Sequence, residues 1–142
     1  MTRLLLPLSA GILLLLLASC GCNDCGSAAT DQANGTTTAD ISLDDLKSAM
    51  ADNRVTLIDA NGSVSFARFH IPGAIDFQAY QEAGTLAEAL PEDKDALIVA
   101  YCSGPRCGAY RRAVSAAREL GYTNVVHYSG GTSGWQAAHA ED

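Results

Sequence analysis

The distribution of apolar residues divides the chain into three stretches. Residues 4–18 are almost wholly apolar behind Arg3, and residues 21–38 contain no aromatic and no large aliphatic side chain. From Ala39 onward, apolar runs alternate with polar, glycine-bearing breaks. In this last stretch Leu43, Leu46 and Met50 recur at helical spacing after Ser42, whose hydroxyl suits an N-cap, with Asp44 and Asp45 in the first turn. Val55-Thr56-Leu57-Ile58-Asp59 is a short β-branched run of the buried-strand kind. Residues 63–69 read as a short helix, and His70-Ile71-Pro72-Gly73-Ala74 as a turn leading to a strand at Ile75-Asp76-Phe77. A further helix is predicted near residues 85–90, followed by a fully buried strand at Ala96-Leu97-Ile98-Val99-Ala100-Tyr101. The next helix runs from about Cys107 to Leu120 and is stopped by Gly121. Val125-Val126-His127-Tyr128 is another strand, ended by Gly130-Gly131, and a helix around Trp135 closes the chain. Continuous apolar strands alternating with helices predict an α/β fold, an open parallel sheet with helices on both faces.

The composition of the first two stretches assigns them other tasks. A short apolar run behind one basic residue at the N-terminus reads as a secretory signal over residues 1–19 rather than a spanning helix. It closes with Leu17-Ala18-Ser19-Cys20, which resembles the lipobox of bacterial lipoproteins and makes Cys20 the expected lipidation site. Several acyl chains on one residue give stable anchoring, which a single chain does not. Gly21, rather than an aspartate, points to the outer membrane facing the periplasm. Residues 20–38 then form the lipid anchor and a flexible tether, too poor in apolar surface to fold, and residues 39–142 form one domain. The tether carries Cys22 and Cys25, whose spacing admits a redox pair; no helix context or further metal ligands accompany it.

Charge narrows the partners. The chain has nine Lys and Arg against sixteen Asp and Glu, a net charge of −7, which removal of the leader with Arg3 deepens to −8. No basic cluster is present to neutralise phosphates, so nucleic acid is excluded as a partner. The only membrane contact expected is through the lipid anchor.

Candidate chemistry gathers at one strand-to-helix junction, where open parallel sheets place their sites. Tyr101-Cys102-Ser103-Gly104-Pro105-Arg106-Cys107-Gly108 joins the buried strand to the long helix. A tight loop there turns backbone N–H groups inward as an anion-binding nest backed by the helix dipole, a field that favours thiolate over thiol at Cys102. Arg106 adds a positive charge, and Ser103 and Gly104 leave the sulfur reachable.

Five motifs in order carry a family resemblance. Leu57-Ile58-Asp59, His70-Ile71-Pro72-Gly73-Ala74, Tyr101-Cys102, Leu120-Gly121-Tyr122-x-Asn124-Val125 and Gly130-Gly131-x-x-x-Trp135 together resemble a single rhodanese domain, over roughly residues 41–138. The resemblance implies a sulfurtransferase that needs no metal or organic cofactor. Cys102 would attack the outer sulfur of a donor, thiosulfate or a persulfide, hold it as a persulfide, and pass it to a thiol or cyanide-like acceptor. The loop residues Ser103, Gly104, Pro105, Arg106, Cys107 and Gly108 would bind the substrate, with Asp59 in support. Many rhodanese loops read Cys-Arg-Ser-Gly-x-Arg; this one reads Cys-Ser-Gly-Pro-Arg-Cys, and Ala60-Asn61 stand where an arginine often follows the strand. Arg106, aided by Arg111 and Arg112, would supply the missing positive charge.

Rival readings come from other classes. A phosphatase of related fold would show His-Cys-x₅-Arg; Tyr101 replaces the histidine, and Arg106 lies four positions after Cys102. A non-catalytic module would typically lack the cysteine. The serious alternative is a periplasmic thiol-disulfide redox or persulfide-sensing protein using Cys102 and Cys107. A loop curled around Cys102 would bring the two Cα atoms within the roughly 4.4–6.8 Å that a disulfide spans, making Cys107 a candidate resolving thiol. His70 is expected to satisfy turn backbone, Trp135 to anchor the last helix, and His127 and His139 show no recognisable constellation.

Overall fold

Ser42 caps the first helix as the sequence predicts. In the computed structural model, which describes residues 37–140, its hydroxyl oxygen accepts the Asp45 N–H at 3.1 Å and caps α1 (Leu43–Ala51). Leu46 is fully buried, with Leu43 and Met50 packed beside it. The segment expected to be a leader, with Cys20, Cys22 and Cys25, lies outside the described residues.

The chain then alternates β1 (Val55–Asp59), α2 (Ser63–Arg68), β2 (Ala74–Asp76), α3 (Phe77–Ala83), α4 (Leu86–Ala89), β3 (Leu97–Tyr101), α5 (Tyr110–Glu119), β4 (Val125–Tyr128) and α6 (Gly131–Ala138). The four strands are parallel in the order β2-β1-β3-β4, so β1 and β3 are central. This is the expected α/β architecture. Alternation along β3 divides the core. Ile98 and Ala100, with Cys102 just beyond the strand, face a cluster closed by Ala113, Val114 and Ala117 of α5 together with Phe77 and Leu86. Val99 and Tyr101 face Leu46 of α1 and Trp135 of α6. Small residues on the buried face of α5 let that helix sit close over β3, the strand that leads into Cys102, and each fully buried aliphatic side chain contributes about 1.5–3 kcal/mol.

Three boundaries differ from the sequence expectation. The β2 strand ends at Asp76 rather than Phe77, and Phe77 opens α3, a helix that the sequence pattern does not predict. Asp76 is the reason: its carboxylate accepts the N–H groups of Gln78 and Ala79 and turns the chain into a helix. The long helix starts at Tyr110, not near Cys107, because the Cys107 N–H bonds back to the Gly104 carbonyl at 2.9 Å in a separate turn. Cys107 therefore belongs to the loop.

Candidate active site

Cys102 follows the last residue of β3 and is 1% exposed. The loop after it is held from one side by the start of α6. Thr132 N–H donates to the Cys102 carbonyl at 2.9 Å, and Ser133 N–H to the Ser103 carbonyl at 3.1 Å. The carbonyl and amide of a trans peptide point in opposite directions. With both carbonyls fixed toward α6, the N–H groups of Ser103 and Gly104 face away from it. Among the described residues, the N–H groups of Ser103, Gly104, Arg106 and Gly108 donate no hydrogen bond. These uncommitted donors are the raw material of an anion-binding loop.

This packing depends on Gly131. Its φ is +58°, and a Cβ there would strike the Cys102 carbonyl oxygen and lie 2.5 Å from the Gly104 nitrogen. The Gly130-Gly131 pair thus does more than end a strand: Gly131 lets α6 reach the cysteine loop.

Cys107 curls back over Cys102. Their Cα atoms are 6.2 Å apart and the two residues are disulfide-bonded. The Cys102 sulfur also lies 3.2 Å from the Cys107 carbonyl oxygen, which a free Cys102 thiol would meet as a hydrogen-bond donor. Cys107 is half-buried and lines an adjoining cleft of about 410 Å³, walled by Pro105, Arg106, Tyr110, Arg111, His127 and others. Among the described residues neither Arg106 nor Arg111 forms a direct ion pair with a carboxylate, although Asp40 lines the same cleft. Arg112 does not line the cleft.

His127 was not singled out by the sequence, yet it forms a wall of this cleft. It is 8% exposed, its ring stacks on Tyr110 with centroids 3.5 Å apart, and its Nδ1 lies 3.6 Å from Asp40. Burial lowers its pKa from the ordinary 6.5, the Arg111 charge adds to that effect, and Asp40 opposes it. Asp40 in turn accepts both the N–H and the hydroxyl of Ser129 at the end of β4.

Asp59 stands apart from the cysteine. It is fully buried at the end of β1, and one carboxylate oxygen accepts the Asn61 N–H at 2.7 Å while the other has no hydrogen-bond partner among the described residues. It pairs in register with Tyr101, on the face away from Cys102. Burial and the Asp59 charge both push the Tyr101 hydroxyl far above its usual pKa, so it stays neutral and accepts the Ile71 N–H at 2.9 Å. Among the described residues Asp59 makes no hydrogen bond to the cysteine loop, and it holds the turn after β1 through the Asn61 N–H. His70 bonds the Phe66 carbonyl through Nδ1, and Trp135 is buried under α6, both in the structural roles expected.

Comparison with known proteins agrees with this geometry. The family model described as "Rhodanese-like domain" matches residues 42–138, and the chain belongs to that family. A thiosulfate:glutathione sulfurtransferase of Homo sapiens is 30% identical over 106 residues, covering 67% of this chain and 90% of the human protein. An HTH-type transcriptional regulator of Mycobacterium tuberculosis is 39% identical over 84 residues, which are 59% of this chain and only 35% of the regulator. Among solved structures, a human single-domain sulfurtransferase superposes with a TM-score of 0.55 at 28% identity, covering 69% of this chain and 95% of that one. The 3-mercaptopyruvate sulfotransferase SseA from Escherichia coli gives 0.57 at 26% identity, over 72% of this chain and 49% of that one.

Proposed function

We propose that the protein is a sulfurtransferase in which Cys102 carries a sulfane sulfur between a donor, thiosulfate or a small persulfide, and a thiol or cyanide-like acceptor. The observation that carries this reading is a cysteine just beyond a central strand, in a loop whose Cys102 and Ser103 carbonyls are tied to α6 and whose Ser103, Gly104, Arg106 and Gly108 N–H groups are left free. With thiosulfate, the Cys102 thiolate attacks the outer sulfur. The sulfur–sulfur bond of the donor breaks, sulfite leaves with the bonding pair, and a Cys102 persulfide remains. An acceptor thiolate or cyanide then takes the outer sulfur and restores the Cys102 thiolate. The free loop amides stabilise anionic sulfur at both steps, as donors aimed at developing charge do elsewhere. Arg106 and Arg111 offset the net negative charge of the chain where a dianion would approach.

Thiosulfate and glutathione enter as the donor and acceptor named for the human relative. The proposed location is the bacterial envelope, with the domain tethered through lipidated Cys20, on the strength of the Leu17-Ala18-Ser19-Cys20 segment. The test of activity is cyanide-dependent thiocyanate formation from thiosulfate, in the presence of a dithiol, by the wild-type chain and by Cys102→Ser. Activity in wild type that is lost in the variant supports the reading; equal activity in the two proteins overturns it.

A further inference from the structure

The reading of Cys102 as the sulfur carrier leaves Cys107 unexplained. A plain carrier needs one thiol, in a loop open to donor and acceptor. Here the only other cysteine among the described residues lies in the same loop, five positions on, bonded to the first. The turn that brings it there is built into the backbone: the Cys107 N–H bonds to the Gly104 carbonyl, and α5 begins only at Tyr110. The two residues differ in exposure. Cys102 is 1% exposed, whereas Cys107 is half-buried and borders the cleft that carries Arg106 and Arg111.

Resting on the sulfurtransferase reading, we infer that Cys107 is a resolving thiol, which gives the protein a second activity: release of the carried sulfur as sulfide. The Cys107 thiolate attacks the inner sulfur of the Cys102 persulfide, the Sγ itself. A Cys102–Cys107 bond forms, the bond to the outer sulfur breaks, and hydrosulfide leaves with that electron pair and the persulfide proton. The outer sulfur is reduced by two electrons and the two cysteines are oxidised to the disulfide, so no outside oxidant is required. The product is the bonded loop that the structure holds. A dithiol reductant then reopens it by attacking Cys107, the more exposed residue, from the cleft; Cys102 departs as thiolate, and the second thiol of the reductant closes the cycle. The branch point is a competition between an acceptor in solution and a thiol fixed in the same loop. Neighbouring groups held in place have effective concentrations far above those of free thiols. Sulfide release should therefore dominate when acceptors are scarce.

The experiment compares the reduced full chain with Cys107→Ala and Cys107→Ser. Each is loaded with a small-thiol persulfide, freed of excess donor and reductant, and followed by released sulfide and by mass mapping of the Cys102 and Cys107 peptides. In wild type the extra sulfur should disappear as one sulfide per chain is released, leaving the two peptides linked and lighter by two hydrogens. In both variants the persulfide should last about tenfold longer or more, given the advantage of an intramolecular nucleophile. Equal persulfide lifetimes, with no linked peptide, would overturn the resolving role while leaving Cys102 as carrier. Failure of every protein to take up sulfur would overturn the carrier reading and this one together.

Discussion

The carbonyl oxygen of Cys102 occupies the space that a side chain on Gly131 would need. The Cys102 loop and the start of α6 thus pack backbone to backbone, with Thr132 N–H completing the contact. Gly131→Ala would have to hold a φ of +58° and push the loop aside. The left-handed conformation alone costs on the order of 1–3 kcal/mol when the surroundings impose it. Urea unfolding should show at least that loss, and the residual folded protein should take up sulfur more slowly. An unchanged midpoint would mean that the contact is not as close as described.

Tyr101 tests the other face of the same strand end. Its hydroxyl accepts the Ile71 N–H, and no other acceptor is recorded for that buried amide. Tyr101→Phe strands the donor, at about 1–3 kcal/mol. Because Tyr101 points away from the Cys102 face, stability should fall while the folded variant still forms thiocyanate. Loss of turnover without loss of stability would instead place Tyr101 in the chemistry.

His127 should make stability depend on pH. Burial holds its folded pKa below 6.5, so the unfolded chain takes up the proton first as pH falls. Stability from this group is complete above about pH 6.5 and declines as pH drops from there toward the folded pKa. His127→Phe keeps an aromatic ring against Tyr110 and cannot titrate. Melting temperatures between about pH 5 and pH 7.5 should rise with pH more steeply in wild type than in this variant. Parallel curves would remove His127 from the account.

Much of this arrangement was legible beforehand, for physical reasons that also explain the gaps. Central parallel strands are buried on both faces, so Leu97–Tyr101 stands out as an unbroken apolar run and Val55–Ile58 as a β-branched, mostly apolar one. Cys102 was visible because polar, glycine-bearing sequence follows such a run directly. The α3 helix was hidden because it buries only Phe77 and so shows little periodicity; its signals were the Asp76 cap and Gly84, which ends it at φ +72°. His127 was hidden by register. Only its alignment with Ala100 puts it on the Cys102 face, against Tyr110. The need for glycine at position 131 depends on where α6 lands, which local sequence does not encode.

The proposed envelope location rests on Cys20. Cys20→Ser should release the protein from the membrane fraction or leave it with its leader uncleaved, as fractionation and intact mass would show. A variant that matures and fractionates like wild type would contradict lipid anchoring.

The most direct test of the central claim is to locate the sulfur. Reduced Cys107→Ala, in which the neighbouring thiol cannot discharge the intermediate, is incubated with thiosulfate and, separately, with a small-thiol persulfide, and its peptides are mapped by mass. One additional sulfur atom is expected on the peptide carrying Cys102, removable by cyanide, and none in Cys102→Ser/Cys107→Ala. Sulfur uptake that persists in the double variant, or that maps to another cysteine, would contradict the central claim.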